Sequence, residues 1–247
     1  GKAVLCEKPV DLSLERARAC RENTKASGKP IMIGFNRRFD PNFSAMKAAL
    51  DAGEIGKPEL LSITSFDPAP PPIAYVKVSG GLFRDMMIHD FDMANFMMGE
   101  APVSIMAAGS SIVDAEIGAA GDVDTAAVTM TYADGRICVI KNSRRAVYGY
   151  DQRVELLGAE GLLQAQNMLE NTLVKSTAAG VTGAKPTYFF LERYMPSYAK
   201  EWGAFVDALT GGTALPVTLD DGITALAMAE AATTSSKTGQ PVRLADD

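Results

Sequence analysis

The sequence predicts an α+β fold: an open, mostly antiparallel sheet with helices on one face. Two observations carry that expectation. Alternating β-branched and polar segments cluster in the second half of the chain, after a first part in which helical and strand-like segments mix. Between two of those segments stands Asp134-Gly135, a hairpin turn that joins antiparallel neighbours. The composition supports a body of this kind. In 247 residues, 47% are hydrophobic and 22% charged, enough to bury a sizeable core.

Each element has a local reason. Ala3-Val4-Leu5-Cys6 is a short apolar run of buried-strand type. Residues 13–27 read as a helix, with Ser13 as N-cap, a polar face of Arg16, Arg18, Arg21 and Lys25, and Gly28 at its end. Residues 30–35 form a buried strand. Asp40-Pro41 starts a helix with a cap and a proline at the first helical position, and Gly53 closes it. Residues 60–66 are strand-like. Pro68, Pro70, Pro71 and Pro72 then impose a stiff loop. A helix is expected from about 81 to 98. Strands are expected at 103–113, 125–132 and 136–143, and the segments 153–157, 162–166 and 172–176 continue the sheet pattern. Two helices, 194–209 and 220–234, close the chain.

Charge and cysteine content narrow the function. Lys and Arg total 24 against 30 Asp and Glu, a net charge of -6, which gives no electrostatic footprint for nucleic acid or an anionic membrane. No apolar run approaches the roughly 18 residues that span a bilayer. Cys6, Cys20 and Cys138 are odd in number and widely spaced, which fits a reducing, cytoplasmic compartment better than a disulfide framework. No pair has zinc-ligand spacing, and residues 1–9 lack the pattern of a secretory signal. A chain that starts at Gly1 and runs straight into a buried strand is expected to be preceded by further sequence.

Chemistry concentrates around the one histidine. On a single helix Asp85, His89 and Asp92 fall at i, i+4 and i+7 and share a face. A carboxylate one turn away can hold an imidazole and raise its basicity, so that it moves a proton near neutral pH. The same spacing also suits a surface histidine with a local ion pair. One His with two Asp falls short of the two-His facial triad of non-haem iron, and no metal is expected. Lys8, between Glu7 and Pro9 at a strand end, can point into a crevice or stand exposed. Arg37 and Arg38, between a strand and a helix, can pair carboxylates or hydrogen-bond a polyol, or remain solvated. Tyr148 and Tyr150, two apart on a strand, would point the same way, towards a sugar-like ligand or into the core.

In this order and at these spacings the pieces resemble the Gfo/Idh/MocA family of nicotinamide-dependent oxidoreductases. The resemblance runs from Gly1 to near the C-terminus. It rests on Leu5-Cys6-Glu7-Lys8-Pro9, on 34–41 with Asn36-Arg37-Arg38-Phe39-Asp40-Pro41, and above all on the stretch from Pro70 through Tyr75 and Ser79-Gly80-Gly81 to Asp85, His89 and Asp92. It implies a catalytic set of Lys8, Asp85 and His89, in which His89, oriented by Asp85, takes the proton of a ring hydroxyl that Lys8 also binds. Arg37, Asp92, Tyr148 and Tyr150 would hold the other hydroxyls of a cyclic polyol such as myo-inositol. Asn36 stands where the family varies. NAD or NADP is the implied cofactor, met here by Glu7, Lys8 and Pro9. The implied domains are a Rossmann remnant at 1–34 and a substrate and oligomerisation domain at 35–247, assembling as a homodimer or homotetramer through the sheet face. The chain departs from the family in having no G-x-G and no Walker A lysine. On the order of 100 residues of nucleotide-binding domain would then lie before Gly1. The alternative expectation is a non-catalytic module that holds a polyol without turning it over.

Overall fold

Strands β1 (Val4–Glu7) and β2 (Ile31–Gly34) lie parallel, Val4 opposite Ile31 and Glu7 opposite Gly34. Parallel neighbours need a crossover, and helix α1 (Leu14–Ser27) supplies it. The structure, a computed structural model, describes residues 1–244. The ends of α1 are those the sequence predicts. The Ser13 side chain accepts the Arg16 N–H, and Gly28, at φ 64°, returns its N–H to Thr24 and Lys25. A 3-10 turn (Asn36–Phe39) leads into α2 (Pro41–Asp51), where the Asp40 carboxylate accepts the N–H groups of Asn42 and Phe43.

Strand β3 (Pro58–Phe66) and the proline loop precede α3 (Ile73–Ser79), a helix that the sequence pattern does not predict. The single helix expected over 81–98 is two: α4 (Leu82–Asp85) and α5 (Ile88–Met98). Gly80 and Gly81, at φ 88° and 86°, make an elbow that other residues rarely adopt. The Asp122 carboxylate caps the first turn of α4 through the Leu82 N–H at 2.9 Å. The Met87 N–H then reaches back to the Leu82 carbonyl, a wide turn that inserts one residue. One extra residue rotates all of α5 by ~100° relative to α4. Asp85, His89 and Asp92 therefore do not form one stripe.

The main sheet collects β3, β4 (Ser104–Ser110), β5 (Thr125–Thr131), β6 (Ile137–Ser143), β7 (Asp151–Gly158), β8 (Gly161–Ala165) and β11 (Val242–Arg243). Their order is β11-β4-β5-β6-β3-β7-β8. Every neighbouring pair is antiparallel except β3–β6. Asp134-Gly135 makes the expected turn between β5 and β6, with Tyr132 and Arg136 closing it. A short helix α6 (Ala115–Ala119) sits between β4 and β5. Alternation sends Ala126, Val128 and Met130 of β5 inward. On that inner face α8 (Leu219–Thr238) packs on β4, α5 on β3 and α2 on β8. The expected helix-covered, mostly antiparallel sheet is thus observed.

The segment at 172–176 does not continue this sheet. Among the described residues, strands β9 (Val174–Thr177) and β10 (Gly180–Gly183) pair only with each other, as an exposed hairpin before α7 (Phe190–Gly211). Cys6, Cys20 and Cys138 are free thiols. Among the described residues no helix is long and apolar enough to cross a membrane.

Candidate active site

The ends of several elements meet around one cavity of about 580 Å3. Lys8 enters from the end of β1, Asn36 and Arg37 from the 3-10 turn, and Asp67 from the end of β3. Tyr75 comes from α3, Asp85 from α4, His89 from α5, Arg144 from the end of β6 and Tyr194 from α7. The floor is charged and polar, while the walls are Pro70, Pro71, Pro72, Phe189 and Phe190. An apolar cavity with a few converging polar groups is the usual form of a small-molecule site.

Lys8, Asp85 and His89 are brought together, but not by the predicted contact. The Lys8 Nζ donates to the Asp85 carbonyl at 2.6 Å and stands 3.3 Å from Asp85 Oδ1. The Asp85 carboxylate also accepts from Tyr75 Oη at 2.8 Å and Arg144 Nη2 at 3.4 Å. None of these bonds goes to the imidazole. His89 Nδ1 is buried and has no hydrogen-bond partner, and the ring meets Phe35 edge-on at 6.1 Å between centroids. The expectation that Asp85 orients His89 is therefore corrected, and the wide turn at Met86-Met87 is the reason. Burial, followed by the charges of Lys8 and Arg37, holds the His89 pKa well below its ordinary value. The imidazole is neutral at pH 7, the form that can accept a proton.

The two arginines diverge. Arg37 lines the cavity and donates to Asp90 Oδ1 at 2.5 Å and to Ser65 Oγ at 3.1 Å. Asp90 also accepts from Ser65 Oγ and Asn142 Nδ2, which satisfies a carboxylate with no exposure at all. Arg38 turns the other way and forks onto Asp92, with a further bond to Asp221 at 2.9 Å. Asp92 is thus buried behind the cavity and does not line it. Burial pushes its pKa up to about 6, against the pull of Arg38.

Tyr148 and Tyr150 lie in a loop before β7 and not on a strand, so their side chains part. Tyr150 is buried and lines the cavity. Tyr148 is 46% exposed and donates to Asp151 at 2.5 Å, away from it. Pro9 lies beside Lys8 on an adjoining groove, and the Glu7 carboxylate lies against Gly34.

Sequence reasoning missed Asp67, Arg144 and Tyr194. The Asp67 carboxyl is pushed up to about 6 by burial, against the opposing charges of Arg144 and Arg37. Arg144 is 2% exposed, with its Nη1 4.0 Å from Asp67. Burial raises the Tyr194 phenol to about 12, and its Oη has no partner. The available signal was positional: Asp67 and Arg144 come directly after β3 and β6, where side chains reach a site at the end of a sheet.

Known proteins are similar in both sequence and fold. Residues 43–164 match the model of the GFO/IDH/MocA C-terminal domain. The chain is 47% identical to the inositol 2-dehydrogenase of Rhizobium meliloti (strain 1021), over 95% of this chain and 71% of that protein. It is 49% identical to a myo-inositol 2-dehydrogenase of Thermotoga maritima, over 98% of this chain and 73% of the relative. The crystal structure of a myo-inositol dehydrogenase from Corynebacterium glutamicum superimposes with a TM-score of 0.94 at 42% identity, covering 98% of this chain and 73% of the other. The scyllo-inositol dehydrogenase of Lactobacillus casei, solved with NAD(H) and scyllo-inositol bound, gives 0.90 at 28% identity, covering 98% and 73%. A helix-backed sheet that brings a strand-end lysine, an aspartate and a histidine to one cavity thus accompanies identity near one half along almost the whole chain, and the chain belongs to the GFO/IDH/MocA family.

Proposed function

We propose that the intact protein is an NAD(P)-dependent dehydrogenase that oxidises a ring hydroxyl of myo-inositol or a related cyclic polyol to the ketone. The observation that carries this reading is the convergence of Lys8, Asp85 and His89 on a cavity with a polar floor and apolar walls. His89 accepts the hydroxyl proton at Nε2. The Lys8 ammonium, anchored by Asp85, donates to the same oxygen and favours its alkoxide character. A nicotinamide nucleotide, when bound, supplies the acceptor for the hydride. Asn36, Arg37, Asp67, Arg144, Tyr150 and Tyr194 present polar atoms for the remaining hydroxyls. Asp92 and Tyr148 stand outside the cavity, bonded to Arg38 and Asp151, and contact no hydroxyl of the polyol in this reading.

The residues fit the nicotinamide end of such a cofactor. Lys8 opens on the reaction cavity, and Glu7 and Pro9 flank it at the end of β1. They do not supply a glycine-rich pyrophosphate cradle, since these 247 residues hold no G-x-G. The parallel β1–α1–β2 unit, outside the main sheet, supports a division in which 1–34 belong to a nucleotide-binding fold and 35–247 form the substrate and oligomerisation domain. The missing fingerprint favours a second reading, in which a polypeptide of these residues alone holds polyol without turnover.

The test is NADH or NADPH formation by the intact protein given myo-inositol. His89→Ala should lower kcat by about 100-fold or more. A wild-type protein inert with both nucleotides, or a fully active variant, would overturn the assignment.

A further inference from the structure

Lys8, Tyr75 and Asp85 form a wall shared by two spaces. All three line the reaction cavity and also an open groove of about 390 Å3, which continues past Asp11, Arg16 and Ser79. Hydrogen bonds run through this wall without a break. The Lys8 Nζ meets Asp85 Oδ1 at 3.3 Å, and Tyr75 Oη meets the same oxygen at 2.8 Å. Exposure is greatest at the tyrosine end. The Lys8 and Asp85 side chains are 16% and 13% exposed, whereas Tyr75 is 47% exposed. The histidine has no such outlet, because its Nδ1 is buried without a partner.

The proposed oxidation breaks one C–H and one O–H bond. Two electrons leave with the hydride, and one proton must reach solvent in every turnover. From the shared wall we infer that Lys8, Asp85 and Tyr75 are the proton exit from the cavity to the groove, with Tyr75 as its outer, positioning link. This rests on the dehydrogenase reading above. Lys8 passes a proton to Asp85 and takes, through water in the cavity, the proton that His89 holds after the hydride step, so that His89 returns to its neutral form. The Tyr75 hydroxyl, which donates to Asp85 at rest, first turns to water in the groove. Asp85 then passes its proton to the freed lone pair of Oη as the phenol's own proton moves to that water, and the new O–H again faces Asp85. No electrons move in the relay, and each group ends as it began.

The charged groups around the path are Arg144, 3.4 Å from Asp85 Oδ2, the Asp67 carboxyl beyond it, and the Asp11–Arg16 pair in the groove. Burial and the bond to Asp85 raise the Tyr75 phenol to about 12, so it relays as a neutral hydroxyl and not as a phenolate. The exposed ring tolerates loss of its oxygen, which makes Tyr75→Phe a clean probe.

A single turnover of the intact protein with NAD and myo-inositol, near pH 7 in weak buffer, reads NADH by absorbance and the proton by a pH indicator. In wild type the two should rise together. In Tyr75→Phe, NADH should form within about two-fold of the wild-type rate while the proton lags about ten-fold. Added imidazole should restore steady-state kcat, with KM for the polyol unchanged. Simultaneous release in the variant, a raised KM, or a loss of rate that imidazole does not restore would overturn the exit path and leave the dehydrogenase reading standing. A wild-type protein that forms no NADH would overturn that reading, and the path with it.

Discussion

Glu201 is a buried carboxyl that the proposed reaction does not use. It sits on α7, is 3% exposed, and its Oε1 has no hydrogen-bond partner. Burial, and then the nearby Glu7 carboxylate, raise its pKa from an ordinary 4.5 to about 8. A carboxyl whose folded pKa exceeds its unfolded one binds its proton more tightly when folded. Its contribution to stability is full below about pH 4.5 and is lost as the pH rises through 8. Glu201→Gln keeps the shape and removes the titration. The variant should match wild type in melting temperature near pH 4.5 and exceed it at pH 8.5, by ~2–4 °C for each kcal/mol recovered. Equal melting curves at both pH values would mean that Glu201 finds a partner or solvent in solution.

The element that frames the cavity opposite α5 is the first turn of α7, and one ion pair fixes it. Arg193 and Asp40 are 1% and 0% exposed at their side chains and meet through both guanidinium Nη atoms. The guanidinium also lies 5.1 Å from the Tyr194 ring centroid and 5.5 Å from that of Phe43. Arg193→Leu should cost about 3–5 kcal/mol by leaving Asp40 buried and unpaired. The double variant with Asp40→Asn should cost less than Arg193→Leu alone, because asparagine still caps α2 and no charge remains. Denaturant unfolding of the three proteins decides it, and additive losses would refute the coupling. Asp40 also shows how much the sequence disclosed. Its role as a helix cap was legible from Asp40-Pro41, as were Ser13, Gly28 and the Asp134-Gly135 turn, because those signals lie within a few residues. Its partner lies 153 positions away and left no local trace. The break between α4 and α5 was hidden for the same reason. Met86 and Met87 suit a helix, and the turn depends on distant anchors, the cap from Asp122 and the network around Asp90. The convergence of Lys8, Asp85 and His89 was legible as a constellation. Their bonding was not, because one inserted residue redirected Asp92 to Arg38 and left His89 without Asp85.

At the scale of the molecule the unbalanced feature is the sheet's second face. Helices cover the inner face, while the outer one carries a continuous apolar row across four strands. Ile137 of β6, Leu60 of β3, Leu157 of β7 and Leu162 of β8 are register neighbours in turn. They are 39%, 40%, 40% and 46% exposed. Large apolar side chains in an unbroken row are costly to leave in water. A two-fold axis through the face lets the row meet its own copy, and such contacts close without leaving a free end. We therefore expect the protein to form a homodimer or homotetramer through this face. Each leucine buried there contributes about 1.5–3 kcal/mol, and symmetry counts it twice. Leu157→Glu should accordingly weaken the assembly by at least about 100-fold. Leu157 points away from the cavity, so the fold and the polyol site should survive. Light scattering across a concentration series would show wild type at a multiple of the chain mass and the variant shifting to monomer. An unchanged mass for Leu157→Glu, or a monomeric wild type at high concentration, would mean that this row is not where copies meet.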